Sequence, residues 1–248
     1  MLSRAHLAPI VAAALLLGGG GAAAESLAAA QAAFRDGRFA EAADLGEAEG
    51  SSAGLALAAE ALTIEGFFRT PEDRRPPLFA RAVALAARAV EADPANPEAH
   101  LQSAHALGRH AQTIGVLEAL DEGYATRIRA ALDRALALDP DIAAAHVTLG
   151  AWHAEIVATL GFMAGVLYGA SEADALAHYQ RALALAPDDA SVNLEFALGL
   201  LTLDDRDEAN LARARALLEH ALAQTVEDAH GEITRQRAEE RLARLEER

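Results

Sequence analysis

A helix-ending segment recurs three times along this chain, and its spacing constrains the fold more than any other feature. The segment reads RAVEADP at 88–94, RALALDP at 134–140 and RALALAP at 181–187. Pro94 and Pro140 are 46 residues apart, and Pro140 and Pro187 are 47 residues apart. Self-similarity at a fixed period is typical of a solenoid, in which stacked copies bury the apolar faces that one copy cannot cover alone.

Each copy predicts a pair of antiparallel helices. Upstream of Pro140, Ile128, Leu132 and Leu136 recur at helical spacing and form one apolar stripe. Pro140 cannot continue that helix, because it lacks an N–H group and clashes with the preceding turn, but it is compatible with the start of the next helix. The predicted fold is therefore all-α. Helices are predicted at 26–36, 38–48, 52–68, 77–92, 96–113, 121–138, 142–158, 172–186, 189–203, 207–224 and 229–246.

The repeated segments resemble tetratricopeptide repeats (TPR). The run ALDRALALDPDIAAAHVTLGAWHAE, at 131–155, is similar to the sequence that closes one such repeat and opens the next, and FRDGRFAEAADL, at 34–45, resembles the turn between the two helices of a repeat. A usual repeat of this kind has about 34 residues. The two long units here are therefore elongated, and their additional residues lie between the two helices of each unit. The resemblance implies a TPR-like solenoid of antiparallel helix pairs with elongated repeats.

A narrower resemblance covers about two thirds of the chain, from about Ala80 to the segment 225–242. The sequence HVTLGAWHAEIVATLGFMAGVLYGASEADALAHYQRALALAP, at 146–187, is similar to the TPR-like domain of the regulator of microtubule dynamics family. That family also has a long first helix, an apolar insert that ends in a small-residue turn, and a following helix with an E-A-L-x-x-[FY] pattern. The resemblance implies an all-helical interaction domain.

The first residues have the pattern of a cleaved signal peptide. Arg4 precedes the apolar run IVAAALLL, and a small-residue site of the A-x-A type ends at Ala24. The run is shorter than the roughly 18 residues expected of a membrane span. We therefore predict a signal peptide at 1–24 and a periplasmic or secreted protein with no membrane span in the mature chain. An N-terminal helical, TPR-like segment is predicted at 25–69, the loop TPEDRRPP follows at 70–77, and the TPR-like repeat domain is predicted at 77–248.

Composition narrows the function. Without residues 1–24 the chain has 20 arginines against 37 acidic residues, a net charge of −17, which disfavours a nucleic-acid surface. It has no cysteine, so disulfides and thiolate chemistry are excluded. No phosphate-binding loop, dinucleotide fingerprint, metalloprotease motif or nucleophile-elbow motif occurs in the mature part. We therefore expect no enzyme activity, no cofactor and no metal site.

Four polar residues are candidates for a partner-binding groove, because the first helix of each TPR-like repeat lines the concave face. His100, His146 and Asn193 each stand six residues after a repeat proline, and His153 shares a helix face with His146. Polar side chains repeated at one offset suit contacts to the backbone of a bound peptide. The alternative is that they cap or solvate the starts of their helices.

The inserts at 113–124 and 159–170, which separate the two helices of each long repeat, contain the apolar candidate residues. Their candidate residues are Ile114, Leu117, Leu120 and Tyr124 in the first, and Phe162, Met163, Val166, Leu167 and Tyr168 in the second. The stretch GFMAGVLYGA has no charge, which a plain protein surface rarely tolerates. Three interpretations stay open: core packing, an oligomer interface, or the wall of a site for an apolar ligand.

Two functions are compatible with the sequence. The first is an exported TPR-type scaffold or adaptor that binds a protein or peptide partner in its groove without catalysis. The alternative is a transport-associated carrier that holds a hydrophobic small molecule or lipid between the two inserts. A connected cavity between the inserts would favour the carrier, and a polar groove would favour the scaffold.

Overall fold

The computed structural model describes residues 19–247, together with the side chains of 24–115, 118, 119 and 121–247. The α-helices are, in chain order, α1 (Gly19–Arg35), α2 (Phe39–Glu49), α3 (Ser52–Ile64), α4 (Arg75–Ala92), α5 (Pro97–Ile114), α6 (Val116–Asp121), α7 (Tyr124–Leu138), α8 (Ala143–Leu160), α9 (Met163–Tyr168), α10 (Glu172–Leu185), α11 (Ala190–Leu203), α12 (Glu208–Ala223) and α13 (Ala229–Glu246). A π-helical turn at Glu65–Arg69 extends α3, and a 3₁₀ turn at Glu72–Arg74 precedes α4. The described part of the chain contains no strand, which confirms the all-α prediction.

The helices form consecutive antiparallel pairs in two layers. The inner layer contains α3, α5, α8, α11 and α13, and the outer layer contains α4, α7, α10 and α12. In the two elongated repeats, α5 and α8 each have 18 residues. Each ends at a glycine with positive φ, 91° at Gly115 and 55° at Gly161, a region that residues with a Cβ rarely adopt. The repeat spacing in the sequence therefore corresponds to a structural repeat.

The short helices α6 and α9 lie in the inserts that separate the two helices of each long repeat, and the sequence pattern did not predict them. The predicted start of α10 is confirmed, because the Ser171 hydroxyl oxygen accepts a hydrogen bond from the backbone N–H of Asp174 at 3.1 Å. None of the helices between residues 19 and 247 is long and apolar enough to cross a membrane.

The core is built mainly from alanine and leucine, and it is continuous across the predicted loop at 70–77, whose last three residues are the start of α4. One cluster joins Ala33 and Phe39 near the N-terminus to Ala82 and Ala106 beyond that loop. The predicted segments 25–69 and 77–248 therefore pack on each other. The predicted cleavage position after Ala24 lies within α1, and 1–18 of the predicted signal peptide lie outside the described residues. The cleavage stays a prediction.

The last helix meets the first ones, so the solenoid closes on itself. Ala229 and Ile233 of α13 pack against the N-terminal core cluster. The rings of Phe34 in α1 and His230 in α13 are 6.3 Å apart. The guanidinium of Arg237, farther along α13, lies 5.3 Å from the ring centroid of Phe68. The inner helices therefore surround a central space that stays partly open to solvent.

Candidate functional site

The central space is a cavity of about 910 Å³ lined mostly by the inner helices. Four of these helices contribute side chains at relative positions 0, 4, 7 and 11, a spacing that keeps them on one helical face. The stripes are Glu98, Gln102, His105 and Arg109 on α5; Ala144, Thr148, Ala151 and Glu155 on α8; Ser191, Glu195, Leu198 and Thr202 on α11; and His230, Thr234, Arg237 and Arg241 on α13. The cavity wall is therefore a repeated surface whose chemistry differs from helix to helix.

A chain of hydrogen bonds crosses the wall from α5 to α8. The Gln102 amide donates to the Glu98 carboxylate at 2.7 Å, which leaves the amide oxygen of Gln102 to accept from Nδ1–H of His105 at 3.2 Å. Nε2 of His105 lies 2.8 Å from the Thr148 hydroxyl. Burial lowers the pKa of His105 to about 4, and the positive charge of Arg109 acts in the same direction. At neutral pH this part of the wall is therefore polar and fixed in orientation.

Burial shifts the pKa values of three charged groups of the cavity. Desolvation raises the pKa of Glu60 to about 8, with added repulsion from Glu98 and Asp228. Desolvation alone raises the pKa of Glu155. Desolvation also lowers the pKa of Arg109 to about 10. Burial therefore disfavours the charged form of each of these three groups.

The predicted groove residues do not line the cavity, and three of them bond at the starts of their helices, as the alternative interpretation expects. The side-chain nitrogens of His100, His146 and Asn193 donate to the carbonyl oxygens of the repeat prolines, Pro94, Pro140 and Pro187, at 3.0, 3.1 and 2.8 Å. All three residues stand six positions after a proline because each side chain bonds from its helix to the proline in the turn before that helix. His153, seven residues after His146, is buried and does not line the cavity.

Three histidines form a stack between α8 and α10. His178 lies between His146 and His153, with ring centroids 5.3 and 5.8 Å away. Nδ1 of His178 is 3.0 Å from Nδ1 of His146. Because Nε2 of His146 donates to a carbonyl, its Nδ1 in the neutral ring accepts from His178. The stack therefore joins two helices of one repeat.

The inserts divide into packed and exposed residues. Tyr124 is buried and lines the cavity, and Tyr168 packs against a core cluster. Phe162, Val166 and Leu167 are 88%, 73% and 59% exposed, so the expectation that this charge-free stretch avoids the surface is wrong for these three residues. Ile114 and Met163 are half-buried and do not line the cavity. The side chains of Leu117 and Leu120 lie outside the described residues.

Sequence reasoning missed the residues that do form the wall. Arg109 and Arg237 belong to stripes with the spacing 4, 3, 4, which is visible in the sequence as E-x₃-Q-x₂-H-x₃-R and H-x₃-T-x₂-R-x₃-R. The spacing alone does not show that these polar faces turn inward, since a polar stripe more often faces solvent. The ring closure by α13 places the second stripe inside, and no local pattern contains that information.

Comparisons with known proteins agree with this architecture. The crystal structure of a thermophilic TPR protein from Thermus thermophilus superposes with a TM-score of 0.61 at 20% sequence identity, covering 87% of this chain and 98% of that one. A search of curated proteins found no match. The sequence family "regulator of microtubule dynamics protein 1-3" matches residues 48–246, which is most of the chain and all the helices that line the cavity. The chain therefore belongs to the regulator of microtubule dynamics protein 1-3 family and has a TPR-like, all-helical repeat fold.

Proposed function

We propose that the protein is an exported, non-catalytic scaffold that binds a peptide segment of a partner protein in its central cavity. The observation that carries this proposal is the wall of the cavity of about 910 Å³, a repeated surface with hydrogen-bonding side chains on the stripes of four inner helices. A peptide backbone offers a donor and an acceptor at each residue, and such a wall can satisfy them. The TPR-like fold supports a protein partner as the ligand class.

The cavity gives no comparable support to a hydrophobic carrier. Of the nine apolar insert residues proposed from the sequence, Tyr124 is the one that the described cavity wall includes. The exposed residues Phe162 and Val166 lie outside it. The inserts reach the cavity through Ala119 and Tyr124 on one side and Thr159 and Leu160 on the other, while their most apolar exposed residues point away from it.

Export rests on the N-terminal sequence pattern, and the fold is compatible with it. The buried residues of α1, Ala30 and Ala33, follow the predicted cleavage position after Ala24. Cleavage would therefore leave the core contacts of α1 in place. Intact-mass measurement of the protein from the periplasmic fraction tests this part, and a mass that still includes residues 1–24 would contradict it.

Selection from a library of random octapeptides with free C-termini tests the binding function. Gly108 faces the cavity, and a Cβ added there would have no heavy atom within 4 Å, so the side chain of Gly108→Phe can enter the cavity and fill it. We expect enriched peptides to bind the unmodified chain and lose binding to Gly108→Phe. Ala87→Phe, on the exposed side of α4, is the matched control and should bind normally. The proposal fails if no peptide is enriched, or if Gly108→Phe binds as well as the control.

A further inference from the structure

Arg109 is a guanidinium in the cavity without an acidic partner. Its central carbon lies 3.6 Å from the ring centroid of Phe67, and one of its nitrogens donates to Gln112 at 3.3 Å. None of the ion pairs in the described part of the chain includes it, although that part contains many carboxylates. Arg109 is half-buried, and a cation withdrawn from water is normally paired, because desolvation of an unpaired charge is costly. The lack of an acidic partner therefore suggests that a bound ligand supplies one.

The surroundings of Arg109 are also positive. Arg75 lies 5.6 Å from the Phe67 ring centroid, and Arg237 lies on the neighbouring Phe68. The nearest acid that acts on Arg109, Glu195, already forms a 2.7 Å ion pair with Arg237. The charges that act on Arg109 are therefore two guanidinium groups and one carboxylate, although the cavity wall as a whole includes six acidic residues and the chain has a net charge of −16. The local excess of positive charge runs against the character of the whole protein.

Stacking on Phe67 fixes the plane of the Arg109 guanidinium and leaves its N–H groups directed along that plane. A guanidinium offers five donors, of which one is used on Gln112. This arrangement suits a planar acceptor that receives two parallel hydrogen bonds. A carboxylate has that geometry, and it would neutralise the positive charge of Arg109, on which Arg75 and Arg237 also act.

We propose that Arg109 is the anchor for a carboxylate of the bound peptide, supplied by an Asp or Glu side chain or by the C-terminus. The proposal rests on the peptide-binding function and adds the chemical class of the ligand. Arg75 and Arg237 contribute positive potential around the anchor, and the hydrogen-bonded residues of α5 position the peptide beside it.

The same octapeptide selection tests the anchor through the composition of the peptides. We expect enrichment of Asp or Glu at one position, or dependence on a free C-terminus that C-terminal amidation removes. Replacing that acid by its amide should weaken binding about 10- to 100-fold, the range for a charge-assisted hydrogen bond. Arg109→Gln should cause a similar loss, and Arg109→Lys a smaller one because lysine keeps the charge without the planar fork.

Arg213→Gln is the matched control. Arg213 also stacks on a phenylalanine, 4.4 Å from the Phe196 centroid, but its side chain is exposed and outside the cavity, so binding should not change. Circular dichroism verifies that the variants fold, and the acid-to-amide peptides test the anchor on the unmodified chain in any case. Peptides that bind in the cavity without an acidic preference overturn the anchor but not the binding function. Stronger competition by inorganic phosphate than by acetate, at equal ionic strength, overturns the carboxylate assignment.

Discussion

The two elongated repeats have the same helix arrangement and different side chains. The first comprises α5, α6 and α7, and the second comprises α8, α9 and α10. Both have an 18-residue inner helix, a positive-φ glycine after it and a histidine that donates to the repeat proline. Towards the cavity, however, the first presents Arg109 where the second presents Glu155. The two repeats therefore share their backbone arrangement but present different side chains to the cavity.

The buried residues of the two repeats differ in size, but a larger residue on one helix is matched by a smaller one on its neighbour. Ala104 and Leu132 of the first repeat correspond in position to Gly150 and Tyr179 of the second. Leu132 and Tyr179 are both buried, and the Tyr179 ring lies directly against Gly150. A larger side chain on the outer helix therefore goes with the loss of a methyl group on the inner one. This difference shows that volume is conserved where residue identity is not.

The largest expected effect comes from breaking that compensation. A Cβ on Gly150 would lie 3.0 Å from the Tyr179 ring, which cannot retreat because it also touches Gly199 and stacks on Phe196. We expect Gly150→Ala to lower the free energy of unfolding by about 1–3 kcal/mol. In a Tyr179→Leu background, which recreates the pair of the first repeat, the cost of Gly150→Ala should largely disappear. A double-mutant cycle from urea unfolding measures this coupling, and additive effects would contradict it.

The histidine stack is a second difference, because the first repeat has Leu107 and Ala131 where the second has His153 and His178. Desolvation lowers the pKa of His178 to about 4. The nearby His146, His153 and Arg129 also lower this pKa, and the negative charge of Asp174 raises it. The unfolded chain, with a histidine pKa near 6.5, then binds more protons between pH 6.5 and 4. The free energy of unfolding therefore falls as the pH falls through this window, by up to about 1.4 kcal/mol per pH unit for each such histidine.

His178→Ala, which copies Ala131 of the first repeat, should reduce that pH dependence. Urea unfolding at pH 7, 5.5 and 4.5 gives the slope for each variant. The remaining slope combines His105, whose pKa desolvation also lowers to about 4, with Glu60, whose pKa desolvation raises to about 8 and which acts with the opposite sign. His100→Ala is the control, since His100 bonds to Pro94 and takes no part in the stack. An unchanged slope in His178→Ala would show that the stack does not control acid stability.

The proline-bound histidines provide a smaller effect that should be common to both repeats. Measured at pH 7, His100→Ala and His146→Ala should each lower the free energy of unfolding by about 1 kcal/mol, the usual contribution of one hydrogen bond. His146 also contacts His178. If His146→Ala lowers the free energy of unfolding more than His100→Ala does, the difference would measure the contribution of the histidine stack. No cost at either position would mean that the bond to the proline carbonyl does not stabilise the repeat.

The smallest effect should be stabilising. Gly108 of the first repeat corresponds to Ala154 of the second, and a Cβ at Gly108 would meet no heavy atom within 4 Å. Gly108→Ala should therefore raise the free energy of unfolding by about 0.5–1 kcal/mol through helix propensity alone. Thermal unfolding followed by circular dichroism measures the gain. A loss of stability would show that the backbone at Gly108 needs the freedom of glycine.

The helix pairs were predictable from sequence because prolines and apolar stripes act locally. The bounds of α5, α8 and α13 differ from the predicted ones by at most two residues, and the predicted start of α10 after Ser171 is confirmed. Local patterns did not reveal whether a repeated polar residue faces the cavity or its own preceding turn. His100 and Arg109 lie on the same helix, yet the first bonds to Pro94 and the second lines the cavity.

The cavity itself was not predictable for a different reason. It depends on the approach of α13 to α1 and to Phe68, which joins residues nearly 200 positions apart in the sequence. Side chains such as Arg237 acquire their environment from that approach. The exposed position of Phe162 also follows from the placement of a short helix at the edge of a repeat, which composition does not specify.

The meeting of α13 with the N-terminal helices has a consequence for how the molecule loses its structure. In an open solenoid each repeat touches only its neighbours, so a terminal repeat can fray while the others persist. Here the terminal helices hold each other through Phe34, Ala229 and Ile233, and neither end of the array is free. Detachment of α13 would expose the N-terminal core and open the cavity in the same event. Unfolding is therefore expected to be cooperative around the whole circle of helices.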